Sequence, residues 1–398
     1  MTKEIQAGGD LAAVGLREAT TSIEAVHRQI ARRAAAPQAH DAIAAGVYAA
    51  VRAGLTLGAR GAGLLASATS SQWLTPERER AGRIARAALN GAFGDALARE
   101  DSALAIPMAV RVAGADVPPH RGALIDAFPG ATERVAVFVH GLGESDGAWR
   151  PDSADGYGSR LRADLGFTPV YVRFNSGLPI AENGERLAEL LAQLQDAWPV
   201  ALRELVLIGH SMGALVIRAA CHAGTRDGRA WVAATRSAIY LGAPHGGAAL
   251  EKGARLLATT LQRVPETRAV AAAINARSAG IHDLGDGVIG PEQHVPLGAG
   301  IRHHAVAATV GGHALLGHAL GDLLVRRASA TGRGSRARPD LVFDAADVHH
   351  VANANHFALL CHPAVYAQLR AWLEQPAPPT RRRLLPRRTG AAARRRLP

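Results

Sequence analysis

The run Leu205-Val206-Leu207-Ile208-Gly209-His210-Ser211-Met212-Gly213-Ala214-Leu215 constrains this chain more than any other stretch. Four consecutive apolar residues predict a strand buried on both faces, which belongs inside a parallel sheet covered by helices. The strand runs into Gly-His-Ser-Met-Gly, the spacing of a G-x-S-x-G turn. A serine hydroxyl is a weak nucleophile until a tight strand-to-helix turn lifts it clear of its neighbours and aims it at a base. Such a turn strains the serine backbone and demands small residues two before and two after it, here Gly209 and Gly213. Residues 214–220 then predict a helix, whose free N-terminal N–H groups favour a developing negative charge.

The pattern around this run repeats. Apolar segments at 134–139, 169–172, 237–241 and 305–310 predict further strands, with 106–112 an early one and 341–343 the last. Between them, 158–165, 183–198 and 363–373 predict helices, the second with Leu187, Leu190, Leu191 and Leu194 on one face. Strands alternating with helices at this spacing predict a mostly parallel sheet flanked by helices, joined by right-handed crossovers. Before it, residues 1–100 predict an all-helical N-terminal extension. Its last helix starts at Thr75-Pro76-Glu77. Residues 101–375 form the expected α/β domain, and 376–398 an Arg/Pro-rich tail expected to be disordered.

Composition narrows the function classes. Hydrophobic residues make up 48% of the 398, enough to fill a large core and to exclude global disorder. The net charge of +11 is concentrated: eight arginines lie after Thr380, with no acid among them. Subtracting those eight charges from +11 leaves +3, so the body is nearly neutral and its charge does not mark a nucleic-acid-binding protein. The tail, without aromatic residues to stack on bases, is read as solvated, with weak anionic-membrane contact as its alternative role. Two cysteines, Cys221 and Cys361, give no disulfide framework and no metal-ligand spacing, and both are read as packing residues. The first residues lack the basic head and apolar core of a signal peptide, and no uninterrupted apolar window reaches the roughly 20 residues of a membrane span. The expectation is a cytoplasmic protein that needs neither metal nor organic cofactor.

A serine nucleophile requires a base, an orienting acid and donors for the oxyanion. The donors are expected from the backbone N–H of Met212, just after the serine, and of Leu142 in His140-Gly141-Leu142-Gly143, which follows the strand 134–139. His356, in the polar loop Asn353-Ala354-Asn355 after the last strand, is the expected base, with His349 and His350 its rivals. Asp322 is the expected acid, following the strand 305–310; Asp286, in a similar local sequence, is the alternative.

Taken jointly, Val139-His140-Gly141-Leu142-Gly143, Ile208-Gly209-His210-Ser211-Met212-Gly213, Leu241-Gly242-Ala243-Pro244-His245-Gly246, Arg277-Ser278-Ala279-Gly280-Ile281, residues 321–330 and Asn355-His356-Phe357 resemble the bacterial α/β-hydrolases. Within that superfamily they are most similar to esterase/lipase-like members related to the GPI inositol-deacylase-like hydrolase domain. The chain departs from the lipase pattern at Ala214 and at Leu323, where glycine is usual. The resemblance implies the α/β-hydrolase fold over about residues 100–375 and a Ser211–His356–Asp322 triad acting on carboxylic esters of hydrophobic, lipid-like acyl groups. Thioester hydrolysis or acyl transfer would use the same residues, and a binding protein on a hydrolase fold is the non-catalytic alternative. The resemblance also implies a lid over 247–296, for which a plain helical crossover packed on the sheet is the alternative. Oligomeric state is left open.

Overall fold

The computed structural model describes residues 76–102, 104–149, 156–247, 278–287, 289, 295–310, 322, 325–332 and 341–375. The helices expected before residue 76, residues 248–277 of the expected lid, and the basic tail lie outside these. The described strands are β1 (Ala109–Val112), β2 (Ala115–Val117), β3 (Arg134–Val139), β4 (Thr168–Arg173), β5 (Glu204–His210), β6 (Thr235–Leu241), β7 (Arg302–Thr309) and β8 (Val348–Ala352). They form one sheet in the order β2-β1-β4-β3-β5-β6-β7-β8. From β4 to β8 every pairing is parallel, and β1 runs antiparallel to both its neighbours. The described α-helices are α1 (Pro76–Arg99), α2 (Arg121–Ala127), α3 (Tyr157–Leu165), α4 (Ile180–Ala197), α5 (Met212–Arg226), α6 (Ala230–Ala234), α7 (Ala279–Asp286), α8 (Arg327–Ala330) and α9 (Pro363–Glu374).

Alternation along the central strands sorts their side chains onto two faces. Val135, Val137 and Val139 of β3, with Leu205 and Leu207 of β5, share a core with Leu187 and Leu191 of α4 and Leu215 of α5. Ala136, Phe138, Val206 and Ile208 point the other way, into a core with Trp149, Leu161 of α3 and Leu369 and Trp372 of α9. Helices cover both faces, which is why these strands read as continuous apolar runs rather than as an alternation. Helix α5 lies deep: every residue from Met212 to Cys221 is buried.

The register places the carboxyl ends of the parallel strands along one edge. Val139 pairs with Gly209, His210 with Leu241, Leu241 with Val306, and Thr309 with Ala352. His140, Ser211, Gly242 and the loop before His356 therefore emerge side by side, the edge where open α/β sheets place their sites.

Three expectations are corrected. Residues 341–343 are not a strand; Val342 is 83% exposed, and the last strand is Val348–Ala352. The early strand begins at Ala109 and turns back on itself as the β1–β2 hairpin. Cys221 is buried as expected, but Cys361 is exposed.

Helix α1 packs on the body. The Asn175 side-chain amide donates to Gly94 O at 2.8 Å, Ile106 N–H to Asn90 Oδ1 at 2.9 Å, and the Ser278 hydroxyl to Gly91 O at 2.6 Å. Residues 76–99, on the far side of the boundary expected at residue 100, thus contact the sheet domain directly. Helix α7, inside the expected lid, is tied down as well: Gly280 N–H donates to Gly177 O at 3.0 Å and Ile180 N–H to Asp283 Oδ2 at 2.9 Å.

Candidate active site

Strand β5 delivers Ser211 into a backbone that L-residues rarely adopt, φ 52° and ψ −120°. Two glycines leave room for it. A Cβ on Gly209 would sit 2.6 Å from the Ala214 backbone, and one on Gly213 would strike the carbonyl oxygens of Val139 and His140. The turn is held from the neighbouring strand by Ser211 N–H donating to Leu241 O at 2.8 Å.

His356 begins a short 3-10 helix capped by the Asn355 side chain, which accepts from Ala358 N–H at 2.9 Å. Its Nδ1 lies 2.7 Å from Asp322 Oδ2, with both side chains almost wholly buried. Asp322 is fixed in turn: its Oδ1 accepts from Val325 N–H at 2.7 Å, and its carbonyl accepts from His356 N–H at 3.2 Å. An Nδ1–H donated to Asp322 leaves His356 Nε2 as the nitrogen with the free lone pair. The His356 ring borders Gly242, directly after the residue that holds Ser211 N–H, where an added Cβ would lie 3.1 Å from Nδ1.

The rival residues lie elsewhere. Asp286 ends helix α7. His349 and His350 belong to β8, where His350 Nε2 lies 3.1 Å from Thr309 Oγ1. Ser329, in the run that carries Asp322, accepts from Gly246 N–H at 3.0 Å and donates to Gly247 O at 3.1 Å, which links the acid's segment to the loop after β6.

The loop after β3 is organised by its own side chains. His140 stacks on Phe174 at 4.4 Å, donates from Nδ1 to Gly141 O at 2.9 Å and accepts at Nε2 from Phe174 N–H at 3.2 Å. One donor and one acceptor make this imidazole neutral, and burial pushes its pKa down. Gly141 N–H donates to Glu144 Oε2 at 2.7 Å and Gly143 N–H to Ser176 Oγ at 3.0 Å. Between these two engaged amides sits Leu142, whose N–H has no acceptor among the described residues. The same holds for Met212 at the start of α5. The two amides expected from the sequence as oxyanion donors thus both lack an acceptor among the described residues.

Sequence reasoning missed Glu144, which bonds both this loop and His210. His210 Nδ1 lies 3.1 Å from Glu144 Oε1, and His210 Nε2 lies 3.2 Å from the carbonyl oxygen of His356. In the motif His210 reads as filler, and its partners lie 66 and 146 residues away in sequence. Phe357, 58% exposed beside His356, adds an aromatic surface at the rim.

No protein-family model and no curated protein matches the chain. Among solved structures, a Bacillus licheniformis lipase in mature form is similar at 18% identity, over 60% of this chain and 91% of its own, with a TM-score of 0.43. A thioesterase from the prodiginine biosynthetic pathway in Streptomyces coelicolor is similar at 19% identity, over 62% and 91%, with a TM-score of 0.34. Naproxen esterase from Bacillus subtilis is similar at 15%, over 61% and 83%, with a TM-score of 0.33. The inositol-deacylase affiliation expected from the sequence finds no support in these comparisons. Among the described residues, the eight-stranded, mostly parallel sheet flanked by helices, with the Ser211 turn at the end of β5, is the architecture that the α/β-hydrolase resemblance implies.

Proposed function

We propose that this protein is a serine hydrolase that cleaves carboxylic esters with hydrophobic acyl groups through an acyl-enzyme. The observation that carries the reading is the buried His356–Asp322 couple at 2.7 Å at the same sheet edge as the strained Ser211. In this reading Asp322 holds the His356 tautomer and stabilises the imidazolium that forms during reaction. His356 Nε2 takes the Ser211 proton as Oγ attacks the ester carbonyl. The carbonyl oxygen becomes an oxyanion facing the Met212 and Leu142 N–H groups, and one such donor contributes about 100- to 1,000-fold in turnover. Collapse expels the alkoxide, which leaves as the alcohol with the proton from His356. Water, deprotonated by the same histidine, then releases the acid and restores Ser211.

The test is hydrolysis of p-nitrophenyl esters of increasing chain length by wild type and Ser211→Ala, with fluorophosphonate labelling alongside. Wild type turns over and is labelled at Ser211; the variant loses at least about a thousandfold and is not labelled. Folded wild-type protein that neither turns over nor takes the label contradicts the proposal and favours a binding role. Rising kcat/KM with chain length supports the hydrophobic acyl preference, and a preference for acetate opposes it.

A further inference from the structure

We propose that Glu144 and His210 form a buried carboxylate–imidazolium pair that positions the oxyanion loop, the elbow and the base relative to one another. The inference rests on the hydrolase reading above. The partners of the ring point to a charged imidazole. His210 presents Nδ1 to both Glu144 oxygens, at 3.1 and 3.2 Å, and Nε2 to the His356 carbonyl oxygen at 3.2 Å. A carboxylate and a carbonyl both accept, so with Glu144 ionised each ring nitrogen carries a proton. A neutral imidazole would leave two acceptors facing one another in a buried place, which is costly. His140, one loop away, shows the opposite arrangement of one donor and one acceptor. The two histidines flanking the oxyanion loop are thus held in different charge states.

Each end of the pair holds a different catalytic segment. Glu144 Oε2 also accepts from Gly141 N–H at 2.7 Å, which shapes the turn that exposes Leu142. His210 immediately precedes Ser211 and has no exposed side-chain surface. Its Nε2 holds the backbone of the residue whose ring is the base. The two imidazole rings lie 4.7 Å apart, and Trp149 closes the other side of His210 edge-on at 6.4 Å.

The surrounding titratable groups are consistent with a charged pair. Burial opposes charge on His210, but the Glu144 charge and its hydrogen bond, with the His356 carbonyl and the more distant Asp322, hold the pKa above its ordinary value. Burial likewise opposes charge on Glu144, and His210, the Gly141 N–H and His140 bring its pKa down to about 2. His210 and Glu144 are positioning residues in this account. Neither is assigned a contact with substrate.

The test compares wild type with Glu144→Gln, His210→Asn and the double variant, each checked for folding by circular dichroism. On p-nitrophenyl butyrate each single variant lowers kcat by about 10- to 100-fold with KM within about threefold, and fluorophosphonate labelling slows in parallel. The double variant falls no further than the worse single, as members of one unit do. Losses that multiply, or folded variants within about threefold of wild-type kcat, overturn the proposal. A second measurement needs no variant to be active: long-range proton–nitrogen spectra of histidine-labelled wild type at about pH 7.5, above an ordinary imidazole's range. One imidazole, assigned to His210 by its loss in His210→Asn, shows two protonated nitrogens; a neutral His210 overturns the pair. If wild type neither hydrolyses nor labels, the hydrolase reading fails and takes the positioning role with it. If only the variant or spectral result is negative, the pair alone fails.

Discussion

Asp322 and His356 stand 34 residues apart in sequence and meet in the interior through a 2.7 Å contact that fixes which imidazole nitrogen stays basic. Asp286, which resembles Asp322 in its local sequence, instead sits at the end of helix α7.

That difference separates two variants. Asp322→Asn lowers kcat on p-nitrophenyl butyrate by about 10,000-fold, because an amide in this place favours the wrong histidine tautomer. Asp286→Asn stays within about twofold, the range of a substitution outside the site. Steady-state kinetics on the two purified proteins decide it, and equal losses would remove Asp322 from the triad.

Gly213→Ala tests the elbow. The added methyl would meet the Val139 and His140 carbonyl oxygens, which are backbone atoms of β3 and its loop and have little freedom to yield. Overpacking of this kind costs about 1–3 kcal/mol, and the movement also displaces the loop after β3. A melting temperature lowered by several degrees is expected, with kcat reduced more than KM is raised. An alanine variant with unchanged melting and kinetics would show that the close approach is not rigid.

Helix α1 reaches the same loop from above. A Cβ on Gly91 would lie 2.9 Å from Gly143 Cα and 3.0 Å from Gly143 N, so Gly91→Ala pushes on the loop after β3. Small misplacements at such a site are expensive, and kcat is expected to fall by about 10- to 100-fold. Gly122→Ala on α2 is the control: there the new methyl meets only the His120 ring at an ordinary 3.7 Å. Parallel kinetics of the two variants check this, and equal effects would argue against a route from α1 to the site.

The pH dependence of stability carries the signature of the Glu144–His210 pair. His210 has its pKa raised above 6.5, so its contribution is complete below pH 6.5 and is lost as pH rises through the native value. Glu144 is depressed from 4.5 to about 2, so its contribution is complete above pH 4.5 and is lost as pH falls toward 2. The stability gap between wild type and the Glu144→Gln/His210→Asn double variant is therefore widest between these limits and narrows on both sides. Urea unfolding across pH 3–9 at constant ionic strength measures it; a flat gap would show that the pair carries no net charge separation.

The sequence revealed those parts of the molecule whose physics is local. β3, β5 and β6 announce themselves because burial on both faces requires apolar residues in succession, and Gly209 and Gly213 because the turn tolerates nothing larger. β8 was missed for the converse reason. Val348-His349-His350-Val351-Ala352 lies at the sheet edge with only Val351 buried, so nothing selects an apolar run, whereas 341–343 has such a run and forms no strand. Asp322 was legible from its place after the strand 305–310, and its neighbours' resemblance to a lipase motif set it above Asp286, but neither signal could place it against His356. Glu144 and His210 left no trace at all, because their roles depend on hydrogen bonds between segments that only the folded sheet brings together.

The ties that join the site's parts span 34 residues between Asp322 and His356, 66 between Glu144 and His210, and 146 between His210 and His356. Closing loops of that length costs chain entropy before any contact repays it, so such ties form late. A nascent or partly unfolded molecule with its local helices in place still holds Ser211 as an ordinary alcohol. The fold is in this sense its own safety catch: under the proposed hydrolase function, reactivity toward esters arrives only with the completed sheet.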